Sequence, residues 1–324
     1  MEKRYGNVDI LKAICAYLVI IIHFEFPFKF LYAEAVARVA VPMFFVISGF
    51  FCKGEGREIR RKIKHLLLLF VVSEVIYFGY YIFLYRTWWT YWIRDVINYH
   101  TIGDLLIYNY TNVFLAGWFI LALAYMYVLY WLITKVGIQK IAYAIAPIVL
   151  LWLWIGQRLE TTGIISDVPM QPNILRAYPF FLLGVWIREH REQILECVKP
   201  WVDIFLVLLG LVLTGCERYI LNRIVYETKF YIYFGTIFMV IGAFLLAIRR
   251  KEITNMPLLQ YIGRYLSTYI YILHFLVILI VNREMENKVD YLWICIFSTV
   301  VAWMAYRLVE AVRGLGRKQK LWLK

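Results

Sequence analysis

The chain has 324 residues, of which 63% are hydrophobic, 19% are aromatic and only 18% are charged. Soluble domains rarely exceed about 50% apolar residues, so this composition excludes an ordinary soluble enzyme and indicates a polytopic membrane protein. The net charge of +13 does not indicate nucleic-acid binding, because the basic residues fall in short loops between apolar runs. The five cysteines have no metal-ligand spacing, so no metal site is predicted and they are interpreted as small buried residues.

Ten apolar runs predict an all-α membrane helix bundle with about ten spans. An even number of spans places both termini on one side of the membrane. The termini and the loops on their side carry 23 Lys and Arg residues against 10 in the opposite loops, which places both termini in the cytoplasm. The predicted spans are 10–28, 34–52, 65–85, 113–134, 138–156, 174–188, 201–216, 230–248, 264–281 and 291–312.

The domain organisation predicted from these runs is one membrane domain at 1–312 and a basic cytoplasmic tail at 313–324. The segment 86–112 is rich in Trp and Tyr, which is typical of an outer-interface helix or a re-entrant loop. No A-x-A-like cleavage site follows the first apolar run, so we expect a retained span rather than a signal peptide. The expected location is the cell inner (plasma) membrane, as a multi-pass protein among membrane lipids.

The first apolar run contains an ionisable pair, Lys12 and His23, separated by ten mostly apolar residues. Eleven positions at about 100° each amount to about three turns, so both side chains share one helix face, roughly 16 Å apart along the axis. An intramembrane ionisable residue costs at least about 2.5 kcal/mol, and it usually has a function. His23 could act as a base near neutral pH, and Lys12 could bind a phosphate or carboxylate. The alternative is a snorkelling lysine and a packed, neutral histidine.

The second predicted span, AVARVAVPMFFVISGFFCKG, carries Arg38 as another intramembrane charge. Pro42 should bend this helix or interrupt its hydrogen bonding, and Ser48 with Gly49 should allow another helix to approach closely. Packing alone would explain the proline and the glycine, but it would not explain the arginine.

The loop after the second span, KGEGREIRRKIKH, contains Arg57 and Arg60, which share one face if the stretch is helical. Guanidinium groups bind phosphate oxygens bidentately, so the pair is a candidate phosphate site. The alternative is a topology signal that binds anionic lipids. In the later spans Glu74, Trp118, Arg176 and His274 are polar or interfacial, and each alone is typical of helix–helix hydrogen bonding or interface anchoring.

Several of these phrases resemble the acyltransferase-3 family of membrane acyltransferases. In NVDILKAICAYLVIIIHF, Asp9, Lys12 and His23 match the family's Asp, basic residue and His, with lysine in a slot more often filled by arginine. PMFFVISGFF resembles the second-helix phrase, and Arg57 and Arg60 match the family's cytoplasmic arginine pair. GWFILAL, RAYPFFLLGVW and IGRYLSTYIYILHF extend the resemblance over nearly the whole chain.

Two departures from the family pattern stand out. The phrase VAVPMFF lacks the Asp that many members carry before Phe-Phe, and it resembles the branch containing membrane domains of vancomycin-resistance serine racemases. Gly117 precedes Trp118, where the family often has His.

The resemblance implies transfer of an acyl group, expected to be acetyl, from cytoplasmic acetyl-CoA or another acyl-CoA. The implied acceptor belongs to the cell envelope, as a glycan hydroxyl or a lipid-linked sugar, with O-acyl transfer expected ahead of N-acyl transfer. The implied catalytic residues are His23, as general base or transient acyl carrier, and Lys12. The donor would bind Arg57 and Arg60. The remaining pocket candidates are Asp9, Arg38, Ser48, Trp118, Arg176 and His274.

Two other functions fit the residues. Intramembrane Lys12, Arg38, Glu74 and His274 could line the path of a transporter or exporter of a small amino acid or envelope precursor, although no internal symmetry is visible. A structural subunit that recruits a partner through its basic loop and tail is the third possibility. Absence of H-E-x-x-H, P-loop, G-x-S-x-G and Rossmann patterns removes support for proteolysis, ATP hydrolysis and hydride transfer.

Overall fold

Helices make up nearly all of the computed structural model, which describes residues 5–24, 31–84, 93–94, 101–161, 172–224, 230–249, 256–285 and 290–322. No strand occurs in these ranges, so the prediction of an all-α bundle is confirmed. Of the predicted interface segment 86–112, residues 86–92 and 95–100 lie outside the description. The α-helices of five or more residues are α1 (Gly6–His23), α2 (Leu31–Ala37), α3 (Ala40–Phe50), α4 (Gly56–Leu84), α5 (Trp118–Val136), α6 (Gln139–Thr161), α7 (Asn173–Glu189), α8 (Arg191–Cys197), α9 (Pro200–Ile224), α10 (Phe234–Arg249), α11 (Pro257–Tyr261), α12 (Ser267–Met285) and α13 (Tyr291–Trp322).

Within the described residues, eight helical stretches are long and apolar enough to cross a membrane. Two further predicted spans, 174–188 and 230–248, correspond to α7 and α10, whose 17 and 16 residues fall short of the roughly 20 that a bilayer core requires. The predicted span 201–216 is longer than expected, because α9 has 25 residues. The eight stretches are Gly6–His23, Tyr32–Phe50, Gly56–Leu84, Leu115–Val136, Gln139–Thr161, Pro200–Ile224, Pro257–Val281 and Tyr291–Gly314.

The membrane stretches differ in how much of their surface other helices cover. Gly6–His23, Tyr32–Phe50, Leu115–Val136 and Pro257–Val281 are between 56% and 67% buried, whereas the other four are at most 22% buried. Apolar surface that no helix covers in a membrane protein can face lipid at no cost, so the less buried stretches have more surface available to lipid. Several candidate functional residues lie on the more buried stretches.

The chain forms two compact units, and unit 1 comprises Met1–Ala40 and Ala243–Lys324. Helix α1 packs against α11, α12 and the π-helical turn Ile262–Leu266 that joins them, and α12 packs against α13. A Cβ atom at Gly263 would collide with the carbonyl group of Asp9, so only glycine lets the π-helical turn lie on the backbone of α1. A hydrogen bond connects α1 and α13, because the hydroxyl oxygen of Tyr17 lies 2.8 Å from Thr299 Oγ1.

Unit 2 comprises Val41–Gly242 and is held together by close helix crossings. Helix α5 packs against α4 and α7, and α7 packs against α6. A Cβ atom at Gly49 would collide with the carbonyl of Phe181, and one at Gly184 would collide with the carbonyl of Val46. The prediction that the Ser48–Gly49 region allows close helix approach is therefore confirmed, and the partner is α7.

The helical run of the second membrane stretch is interrupted at residues 38 and 39, which form a turn between α2 and α3. Pro42 lacks the N–H group that would donate to the carbonyl oxygen of Arg38, so regular α-helical hydrogen bonding cannot pass this point. The expected interruption near Pro42 is thus confirmed.

Candidate active site

Unit 1 brings a half-buried and a fully buried histidine together. His23 is the last residue of α1, and His274 lies in the middle of α12. Their ring centres are 5.2 Å apart and the ring planes are inclined by 47°. His274 is fully buried, and the rings of His23 and Phe275 make a T-shaped contact with their centres 5.6 Å apart. Two predicted site residues from distant parts of the chain thus form one histidine pair.

The hydrogen bonding of His274 assigns its tautomer. Its Nδ1 lies 3.1 Å from the carbonyl oxygen of Ile270. Since a carbonyl oxygen only accepts, Nδ1 carries the proton and Nε2 carries a lone pair. This buried Nε2 has no hydrogen-bond partner among the described residues. His274 therefore presents a hydrogen-bond acceptor inside the bundle.

Lys12, the other ionisable residue of α1, forms an ion pair with Asp9 one turn earlier. Its Nζ lies 3.4 Å from Asp9 Oδ1, and the Asp9 side chain is only 8% exposed. Asp9 in turn lies where the backbone of α1 meets Gly263. The structure thus places two predicted site residues together near the start of α1.

Arg38 forms an ion pair with Glu34 one turn earlier on α2. Arg38 Nε lies 3.2 Å from Glu34 Oε1, and the two side chains are only 11% and 8% exposed. Sequence reasoning missed Glu34, although an acidic residue four positions before a basic one is a recognised helix pair. The charge of Arg38, which appeared unexplained in sequence, is therefore balanced locally.

Arg57 and Arg60 lie in the first two turns of α4, which extends nine residues further towards the N-terminus than the predicted span. The helical geometry that places both on one face is confirmed. Both side chains are exposed, and Arg60 Nε donates to the carbonyl oxygen of Gly56 at 3.2 Å. Lys62 is directed elsewhere, since its Nζ donates to the carbonyl oxygen of Phe51 at 2.8 Å.

Arg176 lies among aromatic side chains of unit 2. Its guanidinium carbon is 3.7 Å from the ring centre of Tyr231 and 5.7 Å from that of Trp118, so both rings offer cation–π contacts. Trp118 also approaches Phe45 of α3, with ring centres 6.3 Å apart. Ser48 lies elsewhere on α3, with its side chain next to that of Tyr127.

Sequence reasoning also missed the ion pair that anchors the segment before α10. Arg158 Nε donates to Glu217 Oε1 at 2.8 Å, and Arg158 Nη2 donates to the carbonyl oxygen of Ile232 at 3.1 Å. Glu217 also accepts a hydrogen bond from the backbone N–H of Phe234 at 2.6 Å. This ion pair fixes the residues on either side of Ile232 and so holds Tyr231 over Arg176.

The surroundings of Gly117 explain its departure from the family pattern. A Cβ atom there would lie 3.0 Å from the Phe114 ring, 3.2 Å from the Phe70 ring and 3.4 Å from Glu74 Oε1. The same Glu74 oxygen accepts a hydrogen bond from Thr111 Oγ1 at 2.7 Å. The space that a larger side chain would need is therefore filled.

Comparison with known proteins identifies the family. A family model described as an acyltransferase domain matches residues 5–307, which is nearly the entire chain. No curated protein and no solved structure gives a match. The matched range includes the histidine pair, the Asp9–Lys12 ion pair and the Arg57 and Arg60 side chains. The chain is therefore a multi-pass membrane acyltransferase that belongs to the acyltransferase-3 family.

Proposed function

We propose that the protein transfers an acyl group, acetyl in the first instance, from cytoplasmic acyl-CoA to a hydroxyl group of a cell-envelope acceptor. The acceptor would be a glycan or a lipid-linked sugar at the plasma membrane. The observation that carries this proposal is the position of His23, a titratable imidazole at the end of an apolar helix and packed against a second imidazole. Intramembrane histidines of this kind are costly and are kept for function.

The donor end of the proposal rests on Arg57 and Arg60. Their guanidinium groups are exposed on one face of α4, next to a helix N-terminus that favours anions. Phosphate groups of a CoA-like donor suit such forked donors. The positive-inside rule predicts that this face is cytoplasmic, where acyl-CoA is available.

The chemistry requires a base for the acceptor hydroxyl. In the proposed reaction, a ring nitrogen of His23 removes the hydroxyl proton as the acceptor oxygen bonds to the thioester carbonyl carbon. The carbon–sulfur bond then breaks, and the proton passes from His23 to the departing CoA thiolate. The products are the acyl ester and free CoA, so no metal or redox cofactor enters the balance.

The test measures two quantities on detergent-purified protein and membrane vesicles made with it. Binding of acetyl-CoA is measured by calorimetry, and transfer is measured as alkali-labile radiolabel passed from [¹⁴C]acetyl-CoA to the envelope fraction. His23→Ala should abolish transfer and retain binding. The double variant Arg57→Ala/Arg60→Ala should lose binding. Lys140→Ala, which removes a basic residue at the start of α6, is the matched charge control and should retain both.

The outcomes separate the proposal from its alternatives. Full transfer by His23→Ala would contradict the catalytic role of His23. Absence of acetyl-CoA binding to folded wild-type protein would refute transfer from CoA and favour transport of an envelope precursor instead. Binding that survives in the double arginine variant would move the donor site away from α4.

A further inference from the structure

The buried Nε2 of His274 is an exception to the rule that buried polar atoms are hydrogen-bonded. His274 is fully buried, and no described residue donates to this nitrogen. A buried acceptor without a donor lowers the stability of the fold, whereas an apolar side chain of similar shape would not carry that cost. Such an exception indicates a functional role when it lies beside a candidate catalytic group, and the neighbour here is His23.

The ring separation suits a hydrogen bond between the two histidines. An imidazole nitrogen lies about 1 Å from its ring centre, and an N–H donor lies about 3 Å from its acceptor, so two linked rings have centres about 5 Å apart. The observed separation of 5.2 Å agrees with that value. The ring planes are inclined by 47°, so the proposed hydrogen bond requires the His23 ring to turn its N–H towards Nε2.

We propose that His274 is the positioning residue of the transfer reaction, and this inference rests on the function proposed above for His23. Its Nε2 accepts a hydrogen bond from one ring N–H of His23, so the other ring nitrogen of His23 faces the acceptor hydroxyl without a proton. When His23 takes the hydroxyl proton, the same hydrogen bond stabilises the imidazolium. The proton leaves with CoA, and His274 keeps its own proton throughout.

The carbonyl oxygen of Ile270 makes this arrangement possible. Because it accepts the Nδ1 proton of His274, it fixes the lone pair on Nε2 and prevents His274 from donating to His23. The relation resembles other catalytic histidines, whose second ring nitrogen is oriented by a neighbouring acceptor. Here the acceptor is a neutral imidazole, which suits a site inside a membrane better than a carboxylate.

The decisive variants are His274→Leu, which removes the acceptor, and His274→Gln, whose amide oxygen replaces it. Transfer of radiolabel from [¹⁴C]acetyl-CoA into the envelope fraction is measured against acetyl-CoA concentration. We expect His274→Leu to lower kcat by about 10²-fold with KM within twofold, since a correctly placed base contributes at least that much. His274→Gln should recover part of the loss. Ser298→Ala, which removes another buried oxygen of unit 1 that has no partner among the described residues, is the control and should leave kcat unchanged.

A second measurement does not depend on activity. The chain has only five histidines, so ¹⁵N-histidine labelling in detergent gives a spectrum in which the His274 signals are assigned by their loss in His274→Gln. We expect the tautomer with the proton on Nδ1. A proton on Nε2, or wild-type kcat in His274→Leu, would overturn the proposal, as would His274→Gln being as inactive as His274→Leu. Wild-type protein that transfers no label would instead refute the proposed function, and the tautomer would still be measured.

Discussion

The close crossing of α3 and α7 predicts that Gly184→Ala destabilises the protein. The added Cβ atom would lie 2.8 Å from the carbonyl carbon of Val46 and 2.9 Å from the backbone nitrogen of Phe50, well inside ordinary contact distance. Both neighbours are backbone atoms, so no side chain can rotate away. The helices must therefore separate at the crossing.

The magnitude follows from two opposing effects. Separation by about 0.5–1 Å forfeits about a quarter to a half of the dispersion energy of each facing contact, and overpacking of this kind costs about 1–3 kcal/mol. Replacing glycine by alanine within a helix returns about 1 kcal/mol of helix propensity. Because the clashes are with backbone atoms, the steric cost lies at the upper end of that range, and we expect a net loss of about 2 kcal/mol. A Cβ atom added at Gly215 of α9 would meet no atom within 4 Å, so Gly215→Ala should show only the gain in helix propensity.

The assay is thermal unfolding of the two purified variants in the same detergent. A loss of this size should lower Tm by about 2–4 °C per kcal/mol, so Gly184→Ala should unfold several degrees below wild type. Gly215→Ala should unfold at or above the wild-type temperature. Equal Tm values for the two variants would refute the close crossing, because helix propensity alone predicts the same shift for both.

Two further predictions concern single side chains. Arg158→Leu should lower the free energy of unfolding by about 3 kcal/mol, because it leaves the largely buried Glu217 carboxylate without its ion-pair partner. Arg313→Leu removes an ion pair whose side chains are 60% and 48% exposed, so it should change the free energy of unfolding by less than about 1 kcal/mol. Equal Tm shifts for Arg158→Leu and Arg313→Leu would contradict both predictions. Burial raises the pKa of the Cys52 thiol, so its reactive thiolate forms only at higher pH. In single-cysteine variants at pH 8, iodoacetamide should therefore label exposed Cys197 much faster than Cys52, and equal rates would contradict the burial.

The sequence predicted the membrane helices because long apolar runs have one stable solution in a bilayer, where every backbone polar group must be bonded within its own helix. Hydropathy locates the bilayer rather than the helix ends. The predicted third span begins at residue 65, whereas α4 begins at Gly56, since its first turns are polar and continue beyond the membrane. Hydropathy also predicted a membrane span at 174–188, where α7 is helical but has only 17 residues, fewer than a bilayer core requires.

The local parts of the site were also within reach of the sequence. The Asp9–Lys12 spacing matches a helix pair, and Glu34 lies at the same kind of spacing from Arg38. The contacts between distant segments could not be predicted from the sequence. Helix periodicity shows which residues share a face of a helix, but it does not show which helix packs against that face. His274 was a pocket candidate without a neighbour, and the packing of α12 on α1 supplied His23. The donor, the acceptor and the branch of the family remain predictions.

The π-helical turn at Ile262–Leu266 determines which single-residue deletions before His274 would change its position on α12. A π-helical turn contains one residue more than an α-helical turn, and each residue rotates the helix by about 100°. Because the wider turn takes up the additional residue, loss of one residue from it would restore a regular α-helix while His274 keeps its face of α12 and stays beside His23. Loss of one residue from the regular helix between Ser267 and His274 has no such outlet, so it would carry His274 about a quarter of the way around α12, away from His23. Relatives of this protein that share its histidines should therefore be compared by the number of residues between Ser267 and His274 as well as by residue identity.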